Sequence, residues 1–283
     1  MTFESAAQPA PTPPPMPSTM PGPAPAAPSA TPALQLVQLA KRFGQKVAVD
    51  GLSLVVPQGS MFGLVGPNGA GKTTTLSMAT GLLRPDHGTA AVLGHDVWRD
   101  PAGAKAITGV LPDGVHLFDR LTGAELLRYN GLLRSMPEAD VVSRSAELMD
   151  ALGLADTAGT VVADYSAGMR KKIALACALI HAPRLLVLDE PFEAVDPVSG
   201  EAIRAILRGF VASGGTVVLS SHVMELVESL CDHVAVVADG RLIATGTLDE
   251  VRGGASLQER FVQMVGQRPS GTEGLAWLRT SSR

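Results

Sequence analysis

The chain has 283 residues, 46% of them hydrophobic and 18% charged, with a formal net charge of −4. That length allows one large α/β domain or two small ones, and the composition excludes bulk disorder. With 23 basic against 27 acidic residues, it also excludes nucleic-acid binding through a basic face. The longest apolar run near the middle, IALACALI at 173–180, falls far short of the about 20 residues that a bilayer span needs. Two cysteines, Cys177 and Cys231, lack metal-like spacing and read as buried, reduced thiols. These features predict a soluble intracellular protein.

Eleven of the 21 prolines fall within residues 1–33, a stretch with one acid, Glu4, and no Lys or Arg. It has neither the basic nor the continuous apolar region of a secretory signal. Proline removes backbone donors, and Ala, Pro and Ser offer little to bury, so an extended, solvated tail is expected. It reads as a ligand for a proline-recognising domain, a spacer or a dispensable extension. Dense structure begins at Leu34. Strands are predicted at 34–39, 47–56 (broken near Gly51) and 61–65, then a helix after Gly71 to about Thr80, stopped by Gly81 and Pro85. Strands follow at 89–93 and 108–111. The stretch 121–162 is helical in character, opened by a Thr122/Glu125 capping box. Beyond Tyr165, helix and strand alternate: a helix to His181, strand 185–189, helix 198–211, strand 216–220, helix 223–230 and strand 233–238. That alternation predicts a largely parallel sheet with helices on its faces. There is no internal repeat. The segment SLQERFVQMVG places Leu257, Phe261, Met264 and Val265 on one helix face, for core packing or a partner, and 267–283 is polar and uninformative.

GPNGAGKT, residues 66–73, lies directly after the apolar strand MFGLV and directly before a helix, the context in which G-x-x-x-x-G-K-[ST] has meaning. The glycines let the chain curl so that successive N–H groups converge on one concavity, and the following helix aims its positive end there. Gly66, Pro67, Asn68, Gly69, Ala70, Gly71, Lys72, Thr73 and Thr74 are therefore the predicted triphosphate-binding residues. Lys72 bridges the β- and γ-phosphates, and the Thr73 hydroxyl holds Mg²⁺.

RLLVLDEP supplies a buried strand ending in two adjacent carboxylates, where open α/β sheets place their ligands. Successive strand side chains point to opposite sides, so the acids take different roles. Asp189 suits Mg²⁺ through water, and Glu190 suits a general base for the water that attacks the γ-phosphate. TVVLSSH ends in His222, which either donates to the γ-phosphate or holds the water and Glu190 in line.

Together these residues resemble the ATP-binding cassette (ABC) family, the nucleotide-binding subunits of ABC transporters, over roughly residues 34–251. The discriminating segment is YSAGMRKK at 165–172, which is similar to the family's LSGGQ signature. The resemblance implies a P-loop NTPase of the ABC type, with a largely parallel core, an N-terminal antiparallel β subdomain and a helical signature subdomain at about 115–168. The ATPase domain then spans 34–250, with a short extension at 251–283. It implies that Ser166 and Gly168 close over ATP bound to the opposite subunit, a role that a hydroxyl, an amide and a helix N-terminus can serve. It also implies that Phe43 stacks on adenine, that Asp196 in EAVDP signals between subunits and that His222 is the switch histidine. Ala167 replaces a signature glycine and Met169 the glutamine. Asp113, in LPDG, stands where the family usually has a glutamine that senses Mg²⁺, and it is a third candidate metal ligand.

The resemblance thus implies an ATPase using ATP and Mg²⁺ that forms a homodimer or heterodimer and drives a separate integral membrane permease. The chain would lie on the cytoplasmic face of the cell membrane and touch the bilayer only through that permease. The signature, the LP-acid form and EPFEAVDP are more similar to exporter-type cassettes, for drugs, antibiotics or lipids. The alternatives are a soluble cassette ATPase acting on ribosomes or DNA, and a non-catalytic nucleotide-responsive module.

Overall fold

The computed structural model describes residues 31–114 and 116–266. The expectations for most of the Pro-rich tail and for 267–283 lie outside them. In chain order the elements are β1 (Leu34–Phe43), β2 (Lys46–Val56), β3 (Met61–Val65), α1 (Lys72–Ala79), β4 (His87–Val92), β5 (His95–Asp96), α2 (Pro101–Ala106) and β6 (Thr108–Leu111). Next come α3 (Gly123–Leu133), α4 (Glu138–Ala151), α5 (Ala167–Leu179), β7 (Leu185–Leu188), α6 (Pro197–Ala212) and β8 (Thr216–Ser221). The described chain closes with α7 (Met224–Leu230), β9 (His233–Ala238), β10 (Arg241–Thr247), α8 (Leu248–Arg252) and α9 (Leu257–Val265).

Six strands form a sheet in the order β10-β9-β3-β8-β7-β6, parallel from β9 to β6, with β10 added antiparallel to β9. β2-β1-β4-β5 form a separate antiparallel sheet. The expected antiparallel subdomain is therefore completed by β4 and β5, which follow α1 rather than precede it.

The parallel strands are apolar without interruption because both their faces are covered. On β7, Leu186 and Leu188 pack with α5 and the helical layer, while Leu185 and Val187 pack towards α1 and the antiparallel sheet. Burial of this kind is worth about 1.5–3 kcal/mol per large aliphatic side chain. All five parallel strands end at the same edge, so whatever follows β3, β7 and β8 is brought together there. β3 and β8 are immediate neighbours and β7 lies beside β8.

Several sequence expectations need correction. The break near Gly51 is an irregularity within a continuous β2: Gly51 has φ 64° and the β1 register shifts there. The single helical stretch at 121–162 is two helices, with Pro137 starting the second, followed by short 3₁₀ turns. The capping box holds: Thr122 Oγ1 accepts from the Glu125 N–H at 3.2 Å and Glu125 Oε2 from the Thr122 N–H at 2.8 Å. α2, β5, β10 and α8 were not expected.

Both thiols are free, and burial pushes that of Cys177 up to about 12 and that of Cys231 up as well. His181, just after α5, has Nε2 3.1 Å from the Thr108 carbonyl and Nδ1 buried without a partner. Burial, reinforced by Arg134, pushes its imidazole down to about 4. Unfolding restores a group titrating near 6.5, so the unfolded chain binds the extra proton first as pH falls. The stabilisation from keeping His181 neutral is complete above 6.5 and is lost between 6.5 and about 4. Denaturant titrations should therefore show the wild type losing about 1–2 kcal/mol more than His181→Gln between pH 7 and pH 5, allowing for partial solvent screening. Parallel losses in the two proteins would remove His181 as the cause.

Candidate functional site

The loop after β3 curls through left-handed conformations at Gly69 (φ 81°) and Gly71 (φ 102°) before α1 begins at Lys72. No side chain fits at Gly71 on this backbone, because a β-carbon there would lie 2.4 Å from the Ala48 carbonyl oxygen. The loop is braced from outside by backbone: the Gly240 N–H donates to the Ala70 carbonyl at 3.0 Å, and the Asp50 N–H to the Gly240 carbonyl at 2.9 Å. Strands β2 and the β9–β10 turn thus fix its shape. Lys72, only 6% exposed, turns its ammonium back onto the carbonyls of Gly66 (2.8 Å) and Pro67 (3.3 Å).

Glu190 follows β7 with φ 47°, a left-handed conformation unusual for a residue with a side chain. That turn brings its carboxylate into line with two other groups. Oε1 lies 3.8 Å from Lys72 Nζ, and Oε2 lies 3.1 Å from Nδ1 of His222, the residue after β8. Glu190 is 13% exposed and His222 44%, so the pair presents an open imidazole over a mostly enclosed carboxylate.

These residues line one cleft of about 470 Å³, within the range of small-molecule sites. Of the predicted residues, Phe43, Asn68, Gly69, Ala70, Gly71, Lys72, Thr73, Thr74, Asp113, Glu190 and His222 all reach it. Phe43, 51% exposed at the end of β1, stands at the rim with Lys41 Nζ 5.8 Å from its ring centre. Gly66 and Pro67 contribute through the carbonyls that hold Lys72.

Four predicted residues lie elsewhere. Asp189 does not line the cleft. It is 3% exposed, takes a short hydrogen bond from the Ser220 hydroxyl and faces the underside of α1, beside Leu76, Ser77 and Thr80. Ser166 caps α5, accepting from the Met169 N–H at 3.2 Å, with its surroundings open to solvent. Gly168 sits beside Asp196, whose Oδ2 lies 3.9 Å from where a β-carbon would be. Asp196 caps α6, and its hydrogen bonds from Ser199 hold its carboxyl below the usual carboxylate range. The sequence reading missed Lys46 and Glu193, which also line the cleft. Lys46 pairs with Phe43 across the β1–β2 turn, so a hairpin assignment ending at Phe43 would have found it.

Among the described residues no cluster of three His, Cys, Asp or Glu could hold a metal by itself. A divalent cation in this cleft needs phosphate and water oxygens for most of its shell. That suits Mg²⁺, which keeps waters and takes one or two protein oxygens beside substrate phosphates. The Thr73 hydroxyl and Asp113 carboxylate are the cleft-facing protein candidates.

A family profile described as ABC transporter matches residues 49–193. The chain is 37% identical over 214 residues to the linearmycin resistance ATP-binding protein LnrL of Bacillus subtilis (strain 168), covering 76% of this chain and 69% of that one. It is 40% identical over 222 residues to the daunorubicin/doxorubicin resistance ATP-binding protein DrrA of Streptomyces peucetius, covering 78% and 67%. Against the Nod factor export ATP-binding protein I of Ralstonia nicotianae (strain ATCC BAA-1114 / GMI1000) the identity is also 40% over 222 residues, covering 78% and 69%. A solved structure of the ATP-binding subunit of an ABC transporter aligns with TM-score 0.77 at 30% identity, covering 82% of this chain and 99% of that chain.

Proposed function

The chain belongs to the ABC transporter family, and from that premise we propose that it is the ATP-hydrolysing subunit of an exporter, working at the cytoplasmic face of a membrane with a separate integral permease. The observation that carries the reading is the alignment of Lys72, Glu190 and His222 over a glycine-shaped loop, with Glu190 3.8 Å and 3.1 Å from its two neighbours. Relatives named for drug resistance and for Nod factor export support the export direction. No helix among the described residues is long and apolar enough to cross a membrane, and relatives named as ATP-binding proteins support a separate permease.

Adenine stacks on Phe43 and the triphosphate lies along the loop of residues 68–73, whose path the backbone braces already fix. Lys72 exchanges the Gly66 and Pro67 carbonyls for phosphate oxygens. Mg²⁺ would be held by the Thr73 hydroxyl and Asp113, with Asp189 linked through water from beneath α1, and would supply neutralisation of phosphate charge. Glu190 accepts a proton from the attacking water, and His222 holds the Glu190 carboxylate towards that water. Ser166 and Gly168 cap the γ-phosphate of the nucleotide held by a second copy, and Asp196 relays closure between the subunits. ATP favours the closed dimer because it touches both halves; hydrolysis removes the shared phosphate and the dimer opens, resetting the permease.

The dimer is tested by Gly168→Asp. Gly168 is not left-handed and a β-carbon there meets nothing closer than 3.8 Å, so the variant folds. Its carboxylate repels an incoming γ-phosphate. In a Glu190→Gln background, sedimentation should show MgATP driving dimerisation, and Gly168→Asp should weaken that dimer at least about tenfold, the effect of roughly 1.4 kcal/mol. ATP affinity of the monomer stays unchanged. Undiminished dimerisation would remove the signature segment from the interface.

A further inference from the structure

We propose that Ser220 is a positioning residue for hydrolysis, acting through Glu190; the proposal rests on the reading of Glu190 as the general base. Ser220 lies on β8 two residues before His222 and is completely buried. The ladder between β7 and β8 ends at the pair Leu188–Leu219, and the next N–H on the β7 side, that of Asp189, turns the other way to the Leu111 carbonyl at 2.8 Å. The N–H of Glu190 therefore reaches β8 just where no further backbone pairing is made. The Ser220 hydroxyl takes it, accepting at 3.0 Å, and donates its own proton to Asp189 Oδ1.

One hydroxyl thus serves as donor and acceptor at once. The carboxylate of Asp189 fixes the direction of the O–H, which leaves the oxygen lone pairs aimed at the Glu190 amide. That amide belongs to the residue with φ 47°, a conformation that persists only where its surroundings impose it. Besides the Ser220 bond, the turn has the Glu193 N–H donating to the Glu190 carbonyl at 3.2 Å. The following serine does a parallel job: Ser221 Oγ accepts from the Val223 N–H at 3.0 Å, fixing the backbone around His222. The two adjacent serines, on opposite faces of β8, therefore seat the two residues whose side chains meet at 3.1 Å.

Ser220→Ala removes both bonds, freeing the turn to relax towards an ordinary conformation and swing the carboxylate out of line. In the full-length chain, kcat for ATP should fall about 10–100-fold with KM within about threefold, since the loop that binds phosphate is untouched. Ser220→Thr, which retains the hydroxyl on a strand position that suits a β-branched residue, should restore most of kcat. The decisive readout is a double-mutant cycle in single-turnover hydrolysis: in a Glu190→Gln background, Ser220→Ala should cost less than about twofold. A kcat for Ser220→Ala within twofold of wild type overturns the proposal, as does a loss that persists undiminished in the Glu190→Gln background. Wild-type hydrolysis by Glu190→Gln alone would instead overturn the assignment of the base.

Discussion

Glu190→Gln is expected to bind ATP within about threefold of wild type and to turn it over about 10²–10⁴-fold more slowly, the usual worth of a positioned base. The amide is nearly the same shape as the carboxylate, so the left-handed turn, the bond from the Glu190 N–H to Ser220 and the approach to His222 are kept. What is lost is the acceptor for the proton of the attacking water. The variant also removes a negative charge that lies 3.8 Å from Lys72 in a cleft already lined by Asp113 and Glu193, so anion affinity should rise rather than fall. Phosphate release and nucleotide titration on the same preparation separate the two effects. Hydrolysis at the wild-type rate would exclude Glu190 as the base.

Lys72→Ala should weaken ATP binding at least about 10²-fold while leaving the fold intact. In the free protein the Lys72 ammonium is satisfied by two carbonyls of its own loop, which water can solvate when the side chain is gone. In the proposed complex it would make charge-assisted bonds to phosphate oxygens, each worth about 1.5–3 kcal/mol, and two such bonds account for the expected loss. The remaining charge balance sharpens the effect: without Lys72, the permanent cation left on the cleft lining is Lys46, facing three carboxylates. Calorimetric titration together with a thermal melt reads affinity and folding independently. An unchanged dissociation constant would take Lys72 off the phosphates.

How much was legible beforehand follows from how local each signal is. The curled path of residues 66–73 was readable because glycines, lysine and threonine at fixed spacing between a strand and a helix specify a backbone path without reference to the rest of the chain. Glu190 and His222 were readable because buried parallel strands carry polar residues only at their tips. That the two acids part was readable from strand alternation, but that Asp189 drops out of the cleft beneath α1 was not, because the turn depends on a left-handed residue that no glycine announces. Strand β10 was missed because it lies at the sheet edge, where exposed and half-buried positions replace a continuous apolar run. Helix α2 was missed for a similar reason: it is six residues long and includes a proline and a glycine. Ser220 was hidden most completely, because its partners are about thirty residues away and a serine near a strand end reads as ordinary.

The bracing of the phosphate loop has a consequence for synthesis. The loop occupies residues 66–73, but the strands flanking β3 and the glycine that clasps Ala70 come from β8, β9 and Gly240, roughly 170 residues later. At about 5–20 residues per second, a ribosome emits this missing support some 10–30 s after the loop itself. During that interval the apolar flanks of β3 have no neighbours, and the nascent chain cannot hold a nucleotide. Newly made protein should therefore gain protection by ATP abruptly, only after the last parallel strand has left the exit tunnel.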